Sequence, residues 1–332
     1  MEPITHALTS LALSRAGLNR TTRLATPILI VAGLAPDLDI LFAVNPRGSL
    51  LWSGALTHSL MGAAAVALLV AFVFWRFGQK QAGGALSFRT ALGLAAIGVA
   101  AHLVLDCCGV FGPRLFWPFS PRAYAACFVD WIDPWVLLFL LAGLLLPALF
   151  ALIGEEIGER KKSQGPRRGA LVALVLVAVF LAGRGILHQR AVTLLLSRDY
   201  HTAPPLTAAA FPSAASPFTW RGVVVTPNTL DEIEVPLGPG GYFDPDRSAT
   251  RYKPQASPAL DAAQQSETAR TFLRYAQIPI ASLDRLESGY RVELRDLRWP
   301  LASQSRFNVV AVIELDGYFH VMREELRFAS NN

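Results

Sequence analysis

TALGLAAIGVAAHLVLDCCGV, residues Thr90–Val110, is the stretch whose reading decides the fold. A bilayer core about 30 Å thick is crossed by about 20 mostly apolar residues rising about 1.5 Å each. The run meets that length and holds no charged residue except Asp106. Yet His102 and Asp106 lie within it, four residues apart, which places them on one face of a helix. A charged aspartate at the centre of a spanning helix costs about 2.5–3.5 kcal/mol on insertion scales. Histidine nitrogen beside carboxylate oxygen is a donor pair for zinc, manganese or iron. A His–Asp hydrogen bond that packs a bundle has the same spacing, so this stretch alone leaves both readings open.

Working outward, four further runs have spanning length: Leu24–Val44, Ala55–Phe74, Pro134–Ile153 and Gly169–Leu187. Ile4–Leu18 is apolar but short, and reads as a partial span or an interfacial helix. The 332 residues are 52% hydrophobic and 17% charged, with a mean hydropathy of +0.37. That composition belongs to a membrane protein, and the long apolar runs are confined to the first part of the chain. Glu2 and the lack of a basic start or an A-x-A-type site argue against a cleavable leader.

The net charge of +5 raises the question of nucleic acid. The cations instead mark topology. Arg15, Arg20 and Arg23 precede the first full span, and Arg76, Lys80 and Arg89 lie between the second and third. Arg160, Lys161, Lys162, Arg167 and Arg168 lie between the fourth and fifth. The alternate loops hold only Arg47, Arg114 and Arg122. The basic loops are therefore expected in the cytoplasm, and five spans put the C-terminal part outside. No nucleic-acid partner is expected.

Three more polar islands interrupt the apolar chain: Thr5-His6, Asp37-Leu38-Asp39 and Thr57-His58. With the basic loops as a floor, Asp37 and Asp39 lie about 20 Å up their span, His58 about 25 Å, and His102 with Asp106 roughly 18–24 Å. These heights converge on the outer third of the bilayer. Pro36 loosens the helix, so aspartates at i and i+2 can both turn inward. Taken singly, Asp37-Leu38-Asp39 is also a capped helix end, and Thr57-His58 a cap beside an interfacial histidine. His6 joins them at that depth if Ile4–Leu18 descends from mid-membrane toward Arg15, and three histidines and three aspartates then suit one metal ion, or two bridged by a carboxylate. Such a site polarises a phosphoryl or carbonyl oxygen and lowers the pKa of water. Cys107, Cys108 and Cys127 lack zinc-knuckle spacing and read as packing residues, with a disulfide to Cys127 as the alternative.

The last third has ordinary polarity. Ala203–Pro217, with four prolines, reads as a linker or extended lead-in. Strands are expected at Thr219–Thr226, Tyr290–Leu297, Phe307–Leu315 and Tyr318–Phe328, with an Asp316-Gly317 hairpin turn. Ala259–Ala276 reads as one helix closed by Pro279. No catalytic motif stands out there, and His201 and His320 read as structural or surface residues. Glu155–Arg168 reads as a solvated connection.

Met1-Glu-Pro-Ile-Thr-His-Ala, Ala35-Pro-Asp-Leu-Asp, Thr57-His-Ser and His102-Leu-Val-Leu-Asp106 together resemble the YdjM-like family of bacterial inner-membrane proteins. Trp117-Pro-Phe-Ser120, Ile132-Asp-Pro134, Pro217-Phe-Thr-Trp-Arg221 and Thr271-Phe-Leu-Arg-Tyr-Ala-Gln-Ile-Pro279 extend the resemblance over most of the chain. It implies a metal-dependent hydrolase. The family's distant grouping with zinc phospholipase C and related zinc nucleases implies phosphoester chemistry. Family members often carry a His-Arg pair before the Thr-His. Trp52-Ser53-Gly54-Ala55 has neither, so Asp130 or Asp133 could supply a replacement ligand, and an inactive member is the alternative. Asp133-Pro134 equally reads as the start of a helix.

The resulting expectation is an all-α polytopic membrane bundle followed by a small α+β soluble domain. Residues 1–190 form the bundle, 191–217 a linker and 218–332 an extracytoplasmic domain. Asp37, His58, His102 and Asp106 hold a divalent metal, zinc before manganese or iron. Asp39 and His6 serve as a further ligand or as the base. The bilayer and a lipid-like or lipid-linked substrate are the expected partners. Two other readings remain: a scaffold whose outer domain binds a protein partner, and an ion or proton pathway. A pathway would string its polar groups across the membrane rather than gather them at one depth.

Overall fold

The computed structural model describes residues 1–80, 85–156, 165–300 and 308–329. Arg160, Lys161 and Lys162 of the basic loop, and Phe307 at the head of an expected strand, lie outside them. A helical N-terminal part is followed by two antiparallel sheets, the architecture predicted from the sequence.

The helical part comprises α1 (Pro3–Ala16), α2 (Ala25–Leu34), α3 (Pro46–Trp52), α4 (Leu60–Phe77), α5 (Phe88–Cys108), α6 (Pro134–Glu156) and α7 (Gly165–Leu196). Ala25–Phe42, Leu60–Phe77, Phe88–Cys108 and Gly165–Leu196 are long and apolar enough to cross a membrane, and Pro134–Phe150 is a shorter apolar helix. Their outward faces carry Leu69, Phe72, Leu145, Phe150, Val175 and Val179, all exposed. Water would penalise such a belt, and lipid does not. Inside, the small residues of α2, α4 and α5 (Ala32, Ala67, Ala71, Ala91, Ala95) let the backbones approach closely. At Gly98 a Cβ would lie 2.8 Å from the Leu29 carbonyl oxygen and 2.9 Å from the Ala32 Cβ.

Three local readings change. α1, expected as a partial span or an interfacial helix, is packed into the bundle against α2, α5, α6 and α7. Its buried residues include Thr5, His6, Thr9, Ser10 and Ser14, so its polar stripe faces inward. The helix expected at Leu24–Val44 gives way at Pro36 to a 3₁₀ segment, Ala35–Phe42. The second span starts at Leu60, because Ser59 caps it by accepting from the Gly62 amide at 3.0 Å. His58 thus lies in the turn before the helix rather than on it.

The C-terminal part holds β1 (Thr207–Pro212), β2 (Thr219–Val225), β3 (Thr229–Pro236) and β4 (Ala249–Tyr252) in one sheet, in chain order. β5 (Pro279–Leu286), β6 (Gly289–Asp296), β7 (Val309–Asp316) and β8 (Val321–Phe328) form the other, also in chain order. β1 thus falls within the proline-rich lead-in, and the Asp316-Gly317 turn joins β7 to β8 as expected. The helix expected at Ala259–Ala276 is two, α8 (Pro258–Gln264) and α9 (Glu267–Tyr275). Ser266 starts the second by accepting from the Ala269 amide at 3.1 Å.

Two seams join the parts. α7 continues to Leu196, where Ala191 and Leu195 pack under Trp220, Val224 and Ile233 of the first sheet. Val110 and Phe111, just beyond α5, pack with Phe211, Val223, Leu230 and Leu297. The end of the bundle where α5 finishes therefore lies against the sheets. The opposite end carries the basic residues: the Arg167 Nε donates to the Ala16 carbonyl at 3.0 Å, and the Arg15 guanidinium to that of Leu144 at 3.1 Å.

Candidate metal centre

Each polar island is delivered by a local backbone device. Glu2 caps α1, accepting from the Thr5 amide at 3.0 Å, and this presents His6 one turn in. The Pro36 break replaces α-helix with a tighter 3₁₀ turn that carries Asp37 and Asp39. The Thr57 hydroxyl donates to the Pro36 carbonyl at 2.5 Å, tying the turn before α4 to that break and bringing His58 inward. α5 contributes His102 and Asp106 from one face.

These six side chains meet. The His102 Nε2 lies 3.0 Å from the His58 Nε2, 3.1 Å from the Asp106 Oδ2 and 3.7 Å from the Asp37 Oδ1. The His58 Nε2 lies 3.2 Å from the Asp106 Oδ2 and 3.9 Å from the Asp37 Oδ1. The His6 ring stacks on His102 at a centroid distance of 3.7 Å, and its Nε2 is 3.2 Å from the Asp106 Oδ1. The N-terminal amine also contacts Asp106. His6, Asp39, His58, His102 and Asp106 are buried, while Asp37 is partly open.

Hydrogen bonding fixes which imidazole nitrogens are free. The His102 Nδ1 lies 2.7 Å from the Gly33 carbonyl, which can only accept, so Nδ1 carries a proton, and in the neutral ring Nε2 carries the lone pair. The His58 Nδ1 lies 3.0 Å from the Asp39 carboxylate and donates likewise. With both rings neutral, two imidazole lone pairs face each other across 3.0 Å, beside the Asp106 Oδ2. Neutral rings repel in this arrangement, and either a proton on one Nε2 or a shared metal cation removes the repulsion. Neither ring nitrogen of His6 makes a hydrogen bond among the described residues, nor does the buried Asp37 Oδ2.

The donor set fits a divalent metal. Ligand atoms sharing one tetrahedral zinc at about 2.0–2.1 Å lie roughly 3.3 Å apart. The His58 Nε2, His102 Nε2 and Asp106 Oδ2 lie 3.0–3.2 Å from one another, close to that, and the His6 Nε2 lies 3.2 Å from the other Asp106 oxygen. Two overlapping groups of ligand atoms emerge, His6–His102–Asp106 and Asp37–His58–His102, each within 4.8 Å. Mixed nitrogen and carboxylate donors suit zinc, with manganese or iron also compatible.

Asp39 is placed differently from the others. Its Oδ2 accepts from the His58 Nδ1 and, at 2.7 Å, from the Gly54 amide. The stretch Trp52–Ala55, without the expected His-Arg pair, thus still touches the centre through its backbone. Asp130 and Asp133 do not enter it. The Asp133 Oδ1 accepts from the Trp135 and Val136 amides at 3.0 and 3.2 Å, so it starts α6, and the Asp130 Oδ1 accepts from the Trp131 amide at 2.7 Å. Cys107, Cys108 and Cys127 are free thiols. His201 is bonded to Asp231 and Thr250, and His320 to Asp316, outside the centre.

A cavity of about 260 Å³ opens over the cluster, lined by Asp37, Asp39, His58 and Asp106 on one side and by Tyr275, Arg298 and Trp299 on the other. Arg114 lines it too. Burial pushes the Arg114 pKa down to about 10, with Arg298 adding to the fall and Tyr275 and Asp39 opposing it, so the guanidinium remains charged at neutral pH. In the sequence Arg114 is only one of three loop cations. The Gly33 carbonyl and Gly54 amide leave no trace there, because backbone groups are chosen by geometry rather than residue type.

The model of the YdjM inner membrane protein family matches residues 1–191, the whole stretch that bears the cluster. No curated protein and no solved structure matches the chain. The chain belongs to the YdjM inner membrane protein family.

Proposed function

We propose that the protein is a metal-dependent hydrolase of the inner membrane, acting on a phosphoester of a lipid or lipid-linked substrate. The observation that carries this reading is the convergence of the His58 Nε2, the His102 Nε2 and the Asp106 Oδ2 within 3.0–3.2 Å of one another, with each Nδ1 set against an acceptor. His58, His102 and Asp106 would hold the metal with Asp37, and His6 joins them rather than acting as base. A divalent ion bound there supplies a Lewis acid and a more acidic water.

The chain's own residues supply the rest. Asp39 orients His58 through its Nδ1 proton, as Gly33 orients His102. Asp37 faces both imidazoles through Oδ1, while Oδ2 has no hydrogen-bond partner among the described residues and Asp37 lines the cavity. Asp37 is therefore our candidate proton acceptor for attacking water, in place of the Asp39 Oδ2, which already takes two N–H groups. The apolar walls limit bulk water, which strengthens every charge interaction inside. Sidedness follows from the basic loops: the sheets and the mouth of the cavity face away from the cytoplasm.

Metal analysis of the full chain purified in neutral detergent tests this reading. We expect stoichiometric zinc, manganese or iron in the wild type, a loss of most of it in His102→Ala, and metal-dependent cleavage of bis(p-nitrophenyl) phosphate. A wild-type protein without metal, or a His102→Ala variant that keeps it, rules the reading out. Bound metal with no cleavage of any phosphoester would favour the scaffold.

A further inference from the structure

The cavity above the cluster holds a cation that the hydrolase reading does not use. Arg114 is 7% exposed. Its Nη1 donates to the Leu51 carbonyl at 2.9 Å and its Nη2 to that of Leu50 at 2.7 Å, and its guanidinium lies 4.3 Å over the Tyr275 ring. No carboxylate lies within ion-pair distance of it among the described residues. Arg298, on the same cavity wall, differs: Asp296 neutralises it at 2.8 Å. Arg114 is thus a desolvated charge, held rigidly by two carbonyls and a ring, with guanidinium donors to spare. A buried charge of this kind is costly without an anion, and the space beside it is the space beside the metal ligands.

A second feature lies at the lip of the same cavity. Ile40 lines it and is 51% exposed, and the next residues, Leu41 and Phe42, are exposed as well. These residues belong to a segment apolar enough to lie in the membrane. The cavity therefore joins a fixed cation inside to a hydrocarbon-compatible edge outside.

We propose that Arg114 is the specificity-determining residue of the cavity, binding the phosphate head of an anionic amphiphile whose hydrocarbon tail leaves past Ile40. Tyr275, from α9, holds the guanidinium in place, so the C-terminal part completes the site rather than merely adjoining it. The identity of the head as the reacting group rests on the hydrolase reading; the binding of the anion does not.

Equilibrium binding to the full-length, zinc-loaded protein in neutral detergent tests this, with dodecyl phosphate, inorganic phosphate and dodecyltrimethylammonium as probes. Dodecyl phosphate is expected to bind at least about tenfold more tightly than either of the others. Arg114→Met should lose about tenfold or more in affinity for both phosphate probes, while Arg114→Lys loses less. Equal affinity in wild type and a folded Arg114→Met overturns the proposal. Should Arg114→Met fail to fold, the wild-type comparison still decides: binding the ammonium amphiphile as tightly as the phosphate overturns the proposal, and no gain from the tail overturns its lipid part. Metal content is measured on the same samples. Arg114-dependent phosphate binding in protein that takes up no metal would sink the hydrolase reading and leave this one standing.

Discussion

An aspartate whose Oδ2 accepts from both an imidazole and a backbone amide has only its Oδ1 left to offer a metal. Asp39 is in that position, and Asp37, two residues earlier, is not. The difference suggests distinct outcomes for two isosteric substitutions. Asp39→Asn weakens the hold on the His58 Nδ1 proton without removing a ligand, so metal affinity should fall roughly 10–100-fold, as for other orienting partners. Competition with a chelator on detergent-purified protein measures this. An affinity unchanged from wild type, or a loss as complete as in His102→Ala, would count against the orienting role. Asp37→Asn should retain more metal than His102→Ala yet lose nearly all phosphodiester cleavage. Retained cleavage would move the base elsewhere. The six island residues were legible in the sequence because histidine and aspartate are conspicuous among apolar neighbours. Their division of labour was not, since it depends on which oxygen meets which N–H, and two aspartates of one type look alike on the page.

At the scale of single elements, irregularity does the positioning. The Pro36 break, the Ser59 cap and the Glu2 cap each turn a polar side chain inward at the end of an apolar segment. Proline signalled the first. The later start of α4 was hidden because Ala55 and Leu56 precede Thr57-His58-Ser59, so that polar island reads as lying inside the span rather than before it. Likewise α8 and α9 read as one helix, since Ser266 inside a helical pattern does not announce itself as a cap. Close approach of α2 and α5 matters as much, because the His102 ring must reach the Gly33 carbonyl at 2.7 Å. Gly98 permits it: a Cβ there already crowds the Leu29 carbonyl. Gly98→Val should therefore push the helices apart, cost about 1–3 kcal/mol of stability, and weaken metal binding in parallel. Denaturant unfolding in detergent followed by tryptophan fluorescence gives the first quantity and chelator competition the second. If stability falls while metal affinity holds, the link between helix spacing and His102 orientation is wrong.

Across the whole molecule, the two ends of the bundle are chemically opposite. One end gathers Arg15, Arg20, Arg23, Arg76, Lys80 and Arg167; the other holds the polar cluster, its cavity and the sheets. Loop charge could be read directly from the sequence, and so could the spans. The docking of the sheets over the cluster could not, because it depends on contacts between residues as distant as Phe111 and Trp299, whose rings lie 4.4 Å apart. With the basic loops retained in the cytoplasm, the sheets are expected outside. Replacing Cys107, Cys108 and Cys127 with serine leaves a background for single cysteines. Tyr242→Cys in the β3–β4 connection and Tyr318→Cys in the β7–β8 turn, at positions 76% and 84% exposed, should react with a membrane-impermeant maleimide in intact spheroplasts. Arg20→Cys, at the basic end, should react only after the membrane is opened. The reverse pattern would put the cavity on the cytoplasmic side, and a substrate would have to reach it from the inner leaflet. The expected pattern requires delivery from the outer leaflet, past the exposed Ile40–Phe42 edge.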